Sequence, residues 1–472
     1  MSKEFSMRKK WAGQVFIAVA AAIPILVVLG MSIPWAQVKP AGKPPAQQPC
    51  NNNGVCEYGE TTSGSTTQWC PDCYLKTYGP LNMIPDPGKQ IAARGNSDHL
   101  FSGGRVFQFV NTGVDGSGIG TYKDMWASNN LGEFEYNNVA IGDADNDLQK
   151  EIIATPSYFA YRTGSGKNAA DYFFKKIYLF EHGSDGSPSW ISPNFDVSIG
   201  VVRDSLISDI DGDGQNEIVL LDGSGGKYQI EIYRIVQNGS SYVYDTNCVW
   251  RSPTYNSTIY TLNAGDTDND GKDEIIIGVF EVGGPIIWDY NYGVWSSTAA
   301  VPLPIAYWRK LTKGYSLKID WVKARNVDNS PGNELIAGGN NNRLMVWRYN
   351  PATSGYDWIF AGEDLGGFTQ GGDAGDLDGD GNNEIAIGAT AGGGTLQTGT
   401  IYLYRYEGGT FVKKPQMLAI GDIYPFDIGD LDGDGKGEIA GWISGGVSII
   451  EFVSGAFYKA FNCVWGSAAD ID

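Results

Sequence analysis

An acidic nine-residue pattern recurs along the chain and is its clearest candidate for chemistry. Five near-complete copies, each with carboxylates at positions 1, 3, 5 and 9, lie at residues 143–151, 209–217, 266–274, 376–384 and 430–438. Alternate residues of a turning chain can direct their oxygens to one centre, and the backbone carbonyl at position 7 can join them. Position 6 is glycine in four copies, which permits the positive φ that turns the chain. We therefore predict a cation site in each copy.

The predicted ligands are the side chains of positions 1, 3, 5 and 9 and the carbonyl of position 7. They belong to Asp143, Asp145, Asp147, Gln149 and Glu151; Asp209, Asp211, Asp213, Gln215 and Glu217; Asp266, Asp268, Asp270, Lys272 and Glu274; Asp376, Asp378, Asp380, Asn382 and Glu384; and Asp430, Asp432, Asp434, Lys436 and Glu438. Hard oxygen ligands in a flexible ring suit Ca²⁺ better than Mg²⁺ or Zn²⁺. We therefore predict about five Ca²⁺ ions as cofactors, with a structural role.

Two alternatives to this kind of calcium loop fit the sequence less well. An EF-hand requires its last acid at position 12, and Leu220 holds that position in the second copy. Plain acidic turns without an ion would leave four carboxylates repelling one another within nine residues. Five divalent ions would instead bring the formal net charge from −20 to −10.

Two copies depart from the pattern. Leu148 replaces glycine at position 6 of the first copy, where a left-handed backbone costs a residue with a side chain ~1–2 kcal/mol. We predict a weaker site there. A decayed copy at 326–334 has Asn326 and Ser330 in place of carboxylates, and Pro331, which cannot adopt a positive φ, at position 6. We predict that this copy binds no ion.

The acidic copies belong to repeated units of variable spacing, which indicates a constant core with loop insertions. In the fifth unit, strand-like segments cover 368–375, 384–388 and 400–406, and a fourth begins at 410–414. We therefore predict that each unit folds into a four-stranded sheet. Such sheets bury their faces and protect their edges when they pack radially into a propeller.

The number of units predicts the number of blades. A faint seventh unit places residues 91–98 at the loop position, shortened and without the acidic pattern. No sustained helical period appears after the N-terminus. We predict an all-β fold, a seven-bladed β-propeller over residues 89–465, followed by a C-terminal tail at 466–472.

The N-terminus carries an apolar segment of membrane-spanning length. A basic segment at 1–10 precedes residues 11–35, which contain no charge between positions 15 and 33. We predict an uncleaved, single-pass signal anchor in the cell membrane, with the N-terminus cytoplasmic and the remainder extracellular. A cleaved signal peptide, or pilin-like cleavage after Gly13, is the alternative. Residues 36–49 form a Pro-rich linker.

Four cysteines crowd into the segment 50–73, which a second linker at 74–88 joins to the propeller. They are Cys50, Cys56, Cys70 and Cys73. Outside the cell, this spacing favours two disulfides that staple a module too small for its own core, with the pairing left open. A four-cysteine zinc site is the alternative, although the first pair does not have zinc-ribbon spacing.

The composition argues against several classes of function. The chain has 34 basic and 54 acidic residues, so its surface repels phosphate and we predict no nucleic-acid partner. It has only two histidines, His99 and His182, which argues against a Ser-His-Asp centre or a histidine-ligated metal. In an extracellular protein, the sequons at Asn238 and Asn256 are predicted glycosylation sites.

The acidic loops and the Glu-Ile-Ala-Ile-Gly strand at 384–388 resemble FG-GAP repeats, as in the propeller of integrin α-subunits. The resemblance covers most of the chain. It implies seven blades with calcium in hairpin loops on one face and ligand binding usually on the opposite face. It also implies adhesion or surface recognition, although the family includes a few enzymes. The cysteine segment resembles short modules of microbial surface proteins and implies no activity.

Aromatic side chains in two predicted insertions, 155–174 and 281–308, are candidates for ligand binding on that opposite face. They are Tyr158, Tyr161, Trp288, Tyr290, Tyr292 and Trp295. Exposed aromatic rings on a rigid scaffold can stack on sugars or contact a protein partner. The alternative is that most of them pack between blades.

These observations together predict a membrane-anchored, extracellular calcium propeller that binds a glycan or a protein and is not an enzyme. One alternative is a lyase or hydrolase that acts on polysaccharide, which requires paired acids, or a lysine or arginine base, in the central cleft. Another alternative is a structural component of a pilus or surface layer.

Overall fold

The structure is a computed structural model, and part of the chain is described by it. The described residues are 48–49, 60–61, 81, 90–95, 106–129, 131, 138–163, 170–193, 198–199, 201–224, 227–238, 241–244, 249–280, 282–291, 294–302, 309–311, 314–316, 318–391, 398–420, 423–443, 446–463 and 466–471. The chain divides into two compact units. One comprises Met1–Thr77 with Thr163–Ala169, and the other comprises Tyr78–Arg162 with Ala170–Asp472.

All regular structure in the described residues is β-strand. In chain order the strands are β1 (Gln48–Pro49), β2 (Glu60–Thr61), β3 (Gln90–Gly95), β4 (Val106–Val114), β5 (Gly120–Ala127), β6 (Val139–Gly142), β7 (Glu151–Ala154), β8 (Ser157–Thr163), β9 (Ala170–Lys175), β10 (Tyr178–Phe180), β11 (Trp190–Ile191), β12 (Ser198–Ile199), β13 (Val201–Ser208), β14 (Glu217–Ser224), β15 (Lys227–Tyr233), β16 (Ile235–Asn238), β17 (Ser241–Tyr244), β18 (Trp250–Arg251), β19 (Ile259–Gly265), β20 (Glu274–Val279), β21 (Pro285–Asn291), β22 (Val294–Ala299), β23 (Arg309–Leu311), β24 (Gly314–Ser316), β25 (Ile319–Arg325), β26 (Glu334–Gly339), β27 (Met345–Asn350), β28 (Gly355–Ala361), β29 (Phe368–Gly375), β30 (Glu384–Ala391), β31 (Thr398–Glu407), β32 (Thr410–Ile420), β33 (Ile423–Gly429), β34 (Glu438–Ile443), β35 (Gly446–Val453), β36 (Ala456–Cys463) and β37 (Gly466–Ile471). In the first unit, β1 and β2 pair in parallel.

Seven four-stranded sheets in the second unit confirm the predicted all-β, seven-bladed propeller. From the inner strand outward they are blade 1 (β6-β7-β10-β11), blade 2 (β13-β14-β15-β18), blade 3 (β19-β20-β21-β22), blade 4 (β25-β26-β27-β28), blade 5 (β29-β30-β31-β32), blade 6 (β33-β34-β35-β36) and blade 7 (β37-β3-β4-β5). The first strand of each blade contacts the first strand of the next, and β37 contacts both β33 and β6. The inner strands therefore close a ring.

The hydrophobic core lies between the blades. Seven clusters of buried residues each join two adjacent sheets, so both faces of every blade are covered. Glycine ends the inner strands of blades 1, 3, 5 and 6, where neighbouring blades approach closely. A Cβ atom on Gly265 would lie 2.7 Å from the Cβ of Ala324 in the next blade, and one on Gly375 would lie 2.6 Å from a methyl group of Ile428. This close packing fixes the acidic loops, which follow these glycines.

The seventh blade corrects two details of the sequence analysis. Residues Gly466–Ile471, predicted as a tail, form the inner strand β37 and pair with β3. The segment Ile91–Gly95, predicted at a loop position, pairs with both β37 and β4 and is the second strand of this blade. Because the partners come from opposite ends of the chain, no local pattern indicated the pairing. The strand closes the ring by joining the C-terminus to the N-terminal strands.

Three small sheets are inserted between the strands of the blades. A three-stranded sheet of β8, β9 and β12 interrupts blade 1, the hairpin β16-β17 interrupts blade 2, and the hairpin β23-β24 precedes blade 4. Within the described residues there is no apolar helix of membrane-spanning length. The predicted anchor at 11–35, the four cysteines of 50–73 and Tyr292 lie outside the described residues.

Candidate metal centres

The acidic copies fold as tight loops that their own backbone holds in place. In blade 3, the Asp266 carboxylate accepts hydrogen bonds from the backbone N–H groups of Asn269 (2.7 Å) and Gly271 (3.0 Å). The Asp270 carboxylate accepts one from Lys272 (3.0 Å). The bond from the N–H of position 6 to the first aspartate recurs at 2.8–3.0 Å in all five copies. The five loops therefore share one geometry.

Two positions of each loop adopt the left-handed backbone that this geometry requires. Position 4 is glycine or asparagine, with φ between 65° and 79° in the five copies. The glycines at position 6 have φ between 84° and 91°, and Leu148 has φ of 74°. The predicted positive φ at position 6 is therefore confirmed. Leu148 carries strain there without any packing in return, because its side chain is 93% exposed.

The glutamate at position 9 begins the second strand of each blade and is buried. Glu151 Oε2 accepts a hydrogen bond from the N–H of Ala144 (2.8 Å), and Glu274 Oε2 accepts from the N–H (2.7 Å) and hydroxyl (2.6 Å) of Thr267. The other oxygen, Oε1, of both glutamates has no hydrogen-bond partner among the described residues, and neither has Asp145 Oδ2. Buried carboxylate oxygens without donors are costly. A bound cation is the partner that this arrangement fits.

Carboxylate oxygens of each copy converge within 4.8 Å of one another. In blades 1 and 3 all four acids take part, whereas in blades 2, 5 and 6 only those of positions 1, 3 and 9 do. The structure thus brings together four of the predicted acids in two loops and three in the others. The fifth-position aspartates that lie outside the clusters are Asp213, Asp380 and Asp434. These clusters could hold a metal ion.

The side chains at position 7 are engaged near the loops. Gln149 and Asn382 donate to the position-5 aspartate of their own loop, at 3.1 and 2.9 Å. Lys436 donates to Asp434 at 2.8 Å, and Lys272 donates to the carbonyl oxygen of Tyr290 at 3.0 Å. These side chains shape the loop, and the predicted ligand atom of position 7 remains its carbonyl oxygen.

Burial raises the pKa of every position-9 glutamate, because a charged carboxylate loses its water there. The pKa rises to about 10 for Glu151, about 8 for Glu274, about 9 for Glu438, and about 7 for Glu217 and Glu384. In the last two, burial is opposed by the positive charges of Arg234 and Arg405. A nearby cation therefore stabilises the charged form of a buried carboxylate more than that of an exposed carboxylate.

A residue on the third strand lies beside each position-9 glutamate, and it was not predicted from the sequence. In blade 2, Ile218 pairs with Tyr233, so Glu217 lies opposite Arg234. The same register holds in the other five blades that carry a loop. The residue is Glu181, Asp289 and Glu451 in blades 1, 3 and 6, and Arg234, Arg348 and Arg405 in blades 2, 4 and 5. An aromatic residue before each arginine is the local signal that could have found it.

The decayed loop of blade 4 keeps part of this geometry: Asn329 at position 4 has φ of 63°, but the second left-handed residue is Gly332 at position 7, because Pro331 occupies position 6. Val327 donates its N–H to Glu334 Oε2 (3.1 Å), and Ser330 donates to Asp328 (2.9 Å), as in the other loops. Arg348 forms ion pairs with both Asp328 and Glu334. Arg348 thus supplies the positive charge that these two buried acids require.

Three aromatic candidates lie on elements other than those predicted. The segment 285–299, placed by the sequence analysis in an insertion, contains the third and fourth strands of blade 3, so that part of the prediction is wrong. Trp288 is 7% exposed and belongs to the core between blades 2 and 3. Tyr290 and Trp295 pair across the hairpin, with ring centroids 5.1 Å apart, on the side of the acidic loop. They therefore do not lie on the opposite face.

Tyr161 is the described candidate that stands on a true insertion. It lies on β8, which follows the end of β7 away from the acidic loop, and its side chain is 47% exposed. Its ring stacks on Tyr172 with centroids 4.6 Å apart. The side chain of Tyr158 lies outside the described residues. The predicted glycosylation site Asn256 is exposed in a turn, and Asn238 ends the hairpin strand β16.

Charged side chains from four blades meet along the axis of the ring. Lys323 of blade 4 pairs with Asp427 of blade 6, and Arg325 holds Asp373 of blade 5 through two contacts of 2.9 and 3.1 Å. Burial raises the pKa of Asp204, from blade 2, to about 6 despite the charge of Lys323. An enzyme requires acids and bases in this cleft. None of them was predicted from the sequence, because the strands that carry them lie far apart in the chain.

Two segments of the chain match known repeat families. Residues 209–277 match the FG-GAP-like repeat, and residues 368–404 match the FG-GAP repeat. No curated protein matches the chain.

Solved structures with a similar fold include two enzymes. An exotype rhamnogalacturonan lyase shares 15% identity over 82% of this chain and 68% of its own, with a TM-score of 0.40. A periplasmic gluconolactonase of Pseudomonas aeruginosa shares 11% identity over 81% of this chain and 98% of its own, with a TM-score of 0.49. At TM-scores below 0.5, neither likeness carries an argument about this chain.

Proposed function

Since this chain is a seven-bladed β-propeller that carries FG-GAP repeats, we propose that it is a calcium-stabilised protein of surface recognition. In this proposal, Ca²⁺ binds the five acidic loops and ties the first two strands of each blade together. A separate surface of the propeller binds a glycan or protein ligand. The observation that carries the calcium part is the convergence of carboxylate oxygens within 4.8 Å, some of them buried and without a hydrogen-bond partner among the described residues.

The donor set supports calcium over other ions. In each loop the candidate ligands are carboxylates at positions 1, 3, 5 and 9 and the carbonyl of position 7, all oxygen atoms. Ca²⁺ accepts six to eight such ligands in flexible geometry, whereas Mg²⁺ requires a tighter octahedron and Zn²⁺ prefers nitrogen and sulfur. When bound, the ion supplies structural stability by neutralising acids that the fold buries.

Removal of calcium tests this part of the proposal. We expect excess EDTA to lower the melting temperature of the full chain by roughly 10–30 °C, since binding to the folded state alone stabilises it. Added Ca²⁺ should restore the melt, and equimolar Mg²⁺ should restore it less. An unchanged melt in EDTA would refute structural calcium.

The cellular location is part of the proposal. The apolar segment at 11–35 and the basic residues before it support an anchor with the propeller outside the cell. Labelling of intact cells with a reagent that cannot cross the membrane tests it, because an extracellular propeller is labelled before lysis. Labelling that requires lysis would place the propeller inside.

The inserted sheet of blade 1 is the proposed ligand surface. Tyr161 presents an exposed ring that Tyr172 holds in place by stacking, which suits contact with a sugar or a protein side chain. We expect Tyr161→Ala to reduce binding on glycan arrays and to cells at least tenfold, about the loss of one aromatic anchor. Tyr458→Ala is the matched control, because Tyr458 is 38% exposed on the outer strand of blade 6. Equal binding by both variants would exclude this surface.

A second candidate function is a polysaccharide-acting enzyme with its site on the axis. The observation that favours it is the meeting of Lys323, Arg325 and Asp204, a base and an acid among them, on inner strands. The ion pairs that engage the two basic residues weigh against it, because a general base must be free to take a proton. Cleavage of a polysaccharide by the full chain, abolished in Lys323→Met, would establish the enzyme and replace recognition as the function.

A further inference from the structure

The acidic loops share one backbone geometry, yet the third strand offers them opposite charges. The residue beside the position-9 glutamate is acidic in blades 1, 3 and 6 and arginine in blades 2, 4 and 5. The pairing register of the second and third strands places this residue beside the loop. It is not part of the nine-residue pattern.

We propose that this third-strand residue sorts the loops into two classes: the loops beside Glu181, Asp289 and Glu451 are tight calcium sites, whereas in the loops beside Arg234 and Arg405 a guanidinium replaces the ion. The protein then has three tight calcium sites instead of five. The inference rests on the proposed function, because it takes Ca²⁺ as the ion that the loops bind.

In blade 2 the guanidinium already occupies the centre of the loop. Arg234 Nη2 lies 3.2 Å from Asp211 Oδ2 and 3.1 Å from Asp213 Oδ2, and it also pairs with Glu217. Its Nε donates to Glu217 Oε1 at 2.8 Å. These are the carboxylates of positions 3, 5 and 9, the same groups that a bound ion would take.

Blade 5 repeats this arrangement. Arg405 pairs with Asp378, its Nη1 lies 3.4 Å from Asp380 Oδ2, and its Nε lies 3.0 Å from Glu384 Oε1. The arginine again lies beside the acids of positions 3, 5 and 9, although its contact with Glu384 Oε1 lacks hydrogen-bond geometry. Arginine presents a rigid fork of donors that cannot be deprotonated, so it serves as a permanent internal cation. A divalent ion in the same loop would have to displace it.

Blade 4 shows the end state of this substitution. There Arg348 pairs with Asp328 and Glu334, and positions 1 and 5 have become Asn326 and Ser330. This loop keeps the hydrogen bonds from Val327 to Glu334 and from Ser330 to Asp328 after losing two carboxylates. The three arginine blades therefore form a series in which the guanidinium is constant and the acids vary.

The loops of blades 1 and 3 show the opposite arrangement. All four acids converge within 4.8 Å in these loops alone among the described residues. Glu151 Oε1, Asp145 Oδ2 and Glu274 Oε1 are buried without a hydrogen-bond donor in the described part of the chain. The third strand places another carboxylate, Glu181 or Asp289, beside these clusters instead of a guanidinium. Four converging acids with buried, donor-free oxygens favour a cation from solution.

Blade 6 belongs to the same class through Glu451. This residue is 3% exposed, and its Oε1 is fixed by the backbone N–H of Gly120 in blade 7 at 2.7 Å. It lies opposite Glu438 on the third strand. Three loop acids converge in this blade, and Lys436 holds Asp434 at 2.8 Å. We expect this site to be weaker than that of blade 3.

Counting the tight sites tests the inference. The full chain, stripped of divalent ions with a chelator and then desalted, is titrated with Ca²⁺ by calorimetry and with Tb³⁺ by luminescence. Trp288, which precedes Asp289 in blade 3, provides a sensitiser beside one predicted site. We expect three tight sites, with any others about 100-fold weaker because a positive charge stands in the loop.

Substitutions of the third-strand residues should then change the number of tight calcium sites. Arg234→Gln and Arg405→Gln should each raise it from three to four, and Asp289→Asn should lower it to two. Lys227→Gln is the matched control, because Lys227 is an exposed cation at the other end of β15 from Arg234, and it should leave the count at three. Near-UV circular dichroism of each variant, recorded with calcium, establishes that the number of sites refers to folded protein. If Asp289→Asn does not fold, Glu451→Gln is a second variant that should lower the number of tight sites to two.

The outcomes separate this inference from the proposal on which it rests. Five equal tight sites in the natural chain, or a count of three in both arginine variants, would overturn the two classes and leave structural calcium intact. The absence of tight Ca²⁺ and Tb³⁺ binding would overturn both. A count that falls in Asp289→Asn and rises in Arg234→Gln would establish the two classes.

Discussion

Blades 3 and 4 stand side by side with the same strand register, but the acids of their loops have different neighbours on the third strand. The loop of blade 3 gathers four acids, and Asp289 lies beside them on the third strand. The loop of blade 4 keeps Asp328 and Glu334, and Arg348 takes the place of Asp289. In our proposal blade 3 depends on a cation from solution, whereas blade 4 contains its own.

The difference shows what the fold requires of this loop. The first and second strands meet at a tight turn whose backbone amides point at carboxylates, so negative charge is built into the turn. Some positive charge must balance it once water is excluded. In our proposal, one residue on the third strand decides whether that charge is an ion or a guanidinium.

The largest effect is expected where the internal cation of blade 4 is removed. Arg348→Gln leaves Asp328, 7% exposed, and Glu334, 1% exposed, without their partner. Breaking a buried ion pair on one side costs about 3–5 kcal/mol, so we expect a loss of that size in urea unfolding. Calcium should not restore it, because Asn326 and Ser330 provide no carboxylates.

The control for this variant is the same change of charge at the same register in blade 3. Asp289→Asn removes one acid from a crowd of acids, so in EDTA it should leave stability unchanged or slightly higher. If Arg348→Gln and Asp289→Asn behave alike without calcium, the two blades are not neutralised differently and the comparison fails.

A second variant separates the blades through their shared glutamate. Glu274→Gln should cost about 2 kcal/mol or more with calcium, through weaker ion binding. It should cost nothing in EDTA, because the glutamine carbonyl can keep the bonds from Thr267 and Oε1 has no donor to lose among the described residues. Glu334→Gln in blade 4 should cost about 1–3 kcal/mol under both conditions, since it weakens the pair with Arg348. Urea unfolding of both variants with and without calcium measures the difference. A calcium-dependent loss in Glu334→Gln would contradict it.

Much of this fold could be predicted from the sequence, because each blade repeats local signals. Strand 368–375 was predicted with the bounds of β29, and the loop between β29 and β30 with those of its acidic copy. The closing strand Gly466–Ile471 could not be predicted in this way, since its partner β3 lies at the other end of the chain. Sequence periodicity reports which face of a strand is buried and does not report which strand it pairs with.

The candidate site divides in the same way. The acids of the loop are local, so their spacing predicted the clusters at positions 1, 3 and 9 in all five copies. The residue opposite Glu217, Arg234, belongs to another strand and depends on the register of β14 and β15. The aromatic residues of β21 and β22 were misassigned because alternating Trp and Tyr indicate either a core strand or an exposed patch, and burial decides between them.

The axis extends the comparison, because blade 4 also supplies cations there. Lys323 and Arg325 are engaged by Asp427 and Asp373, and Asp204 has a pKa raised to about 6 by burial, from 3.8. A folded-state pKa above the unfolded one means that the folded state holds the proton more tightly. The contribution of Asp204 to stability is therefore greatest below pH 4 and is lost as the pH rises to 6.

The variant Asp204→Asn should remove this dependence. Its stability relative to the natural chain should rise by on the order of 2 kcal/mol between pH 4 and pH 7 and stay level above that. Urea unfolding across this range in saturating calcium measures it. A gap that is constant with pH would show that Lys323 keeps Asp204 charged throughout.

The smallest effect concerns the turn itself and compares blade 1 with blade 3. Position 6 is Leu148, with φ of 74°, in one loop and Gly271, with φ of 91°, in the other. Leu148→Gly removes backbone strain and no packing, since the side chain is 93% exposed. Glycine also loses more entropy on folding, so we expect a net gain of about 0.5–1 kcal/mol in urea unfolding with calcium present.

The reverse change in blade 3 isolates the backbone term. No atom lies within 4 Å of a Cβ placed on Gly271, so Gly271→Ala meets no steric obstacle beyond its positive φ. It should cost about 1 kcal/mol, and it should lower the calcium affinity of that loop, because the same turn directs the ligands. If Leu148→Gly brings no gain while Gly271→Ala is costly, the loop of blade 1 has adapted to leucine, and the strain at Leu148 does not account for a weaker site.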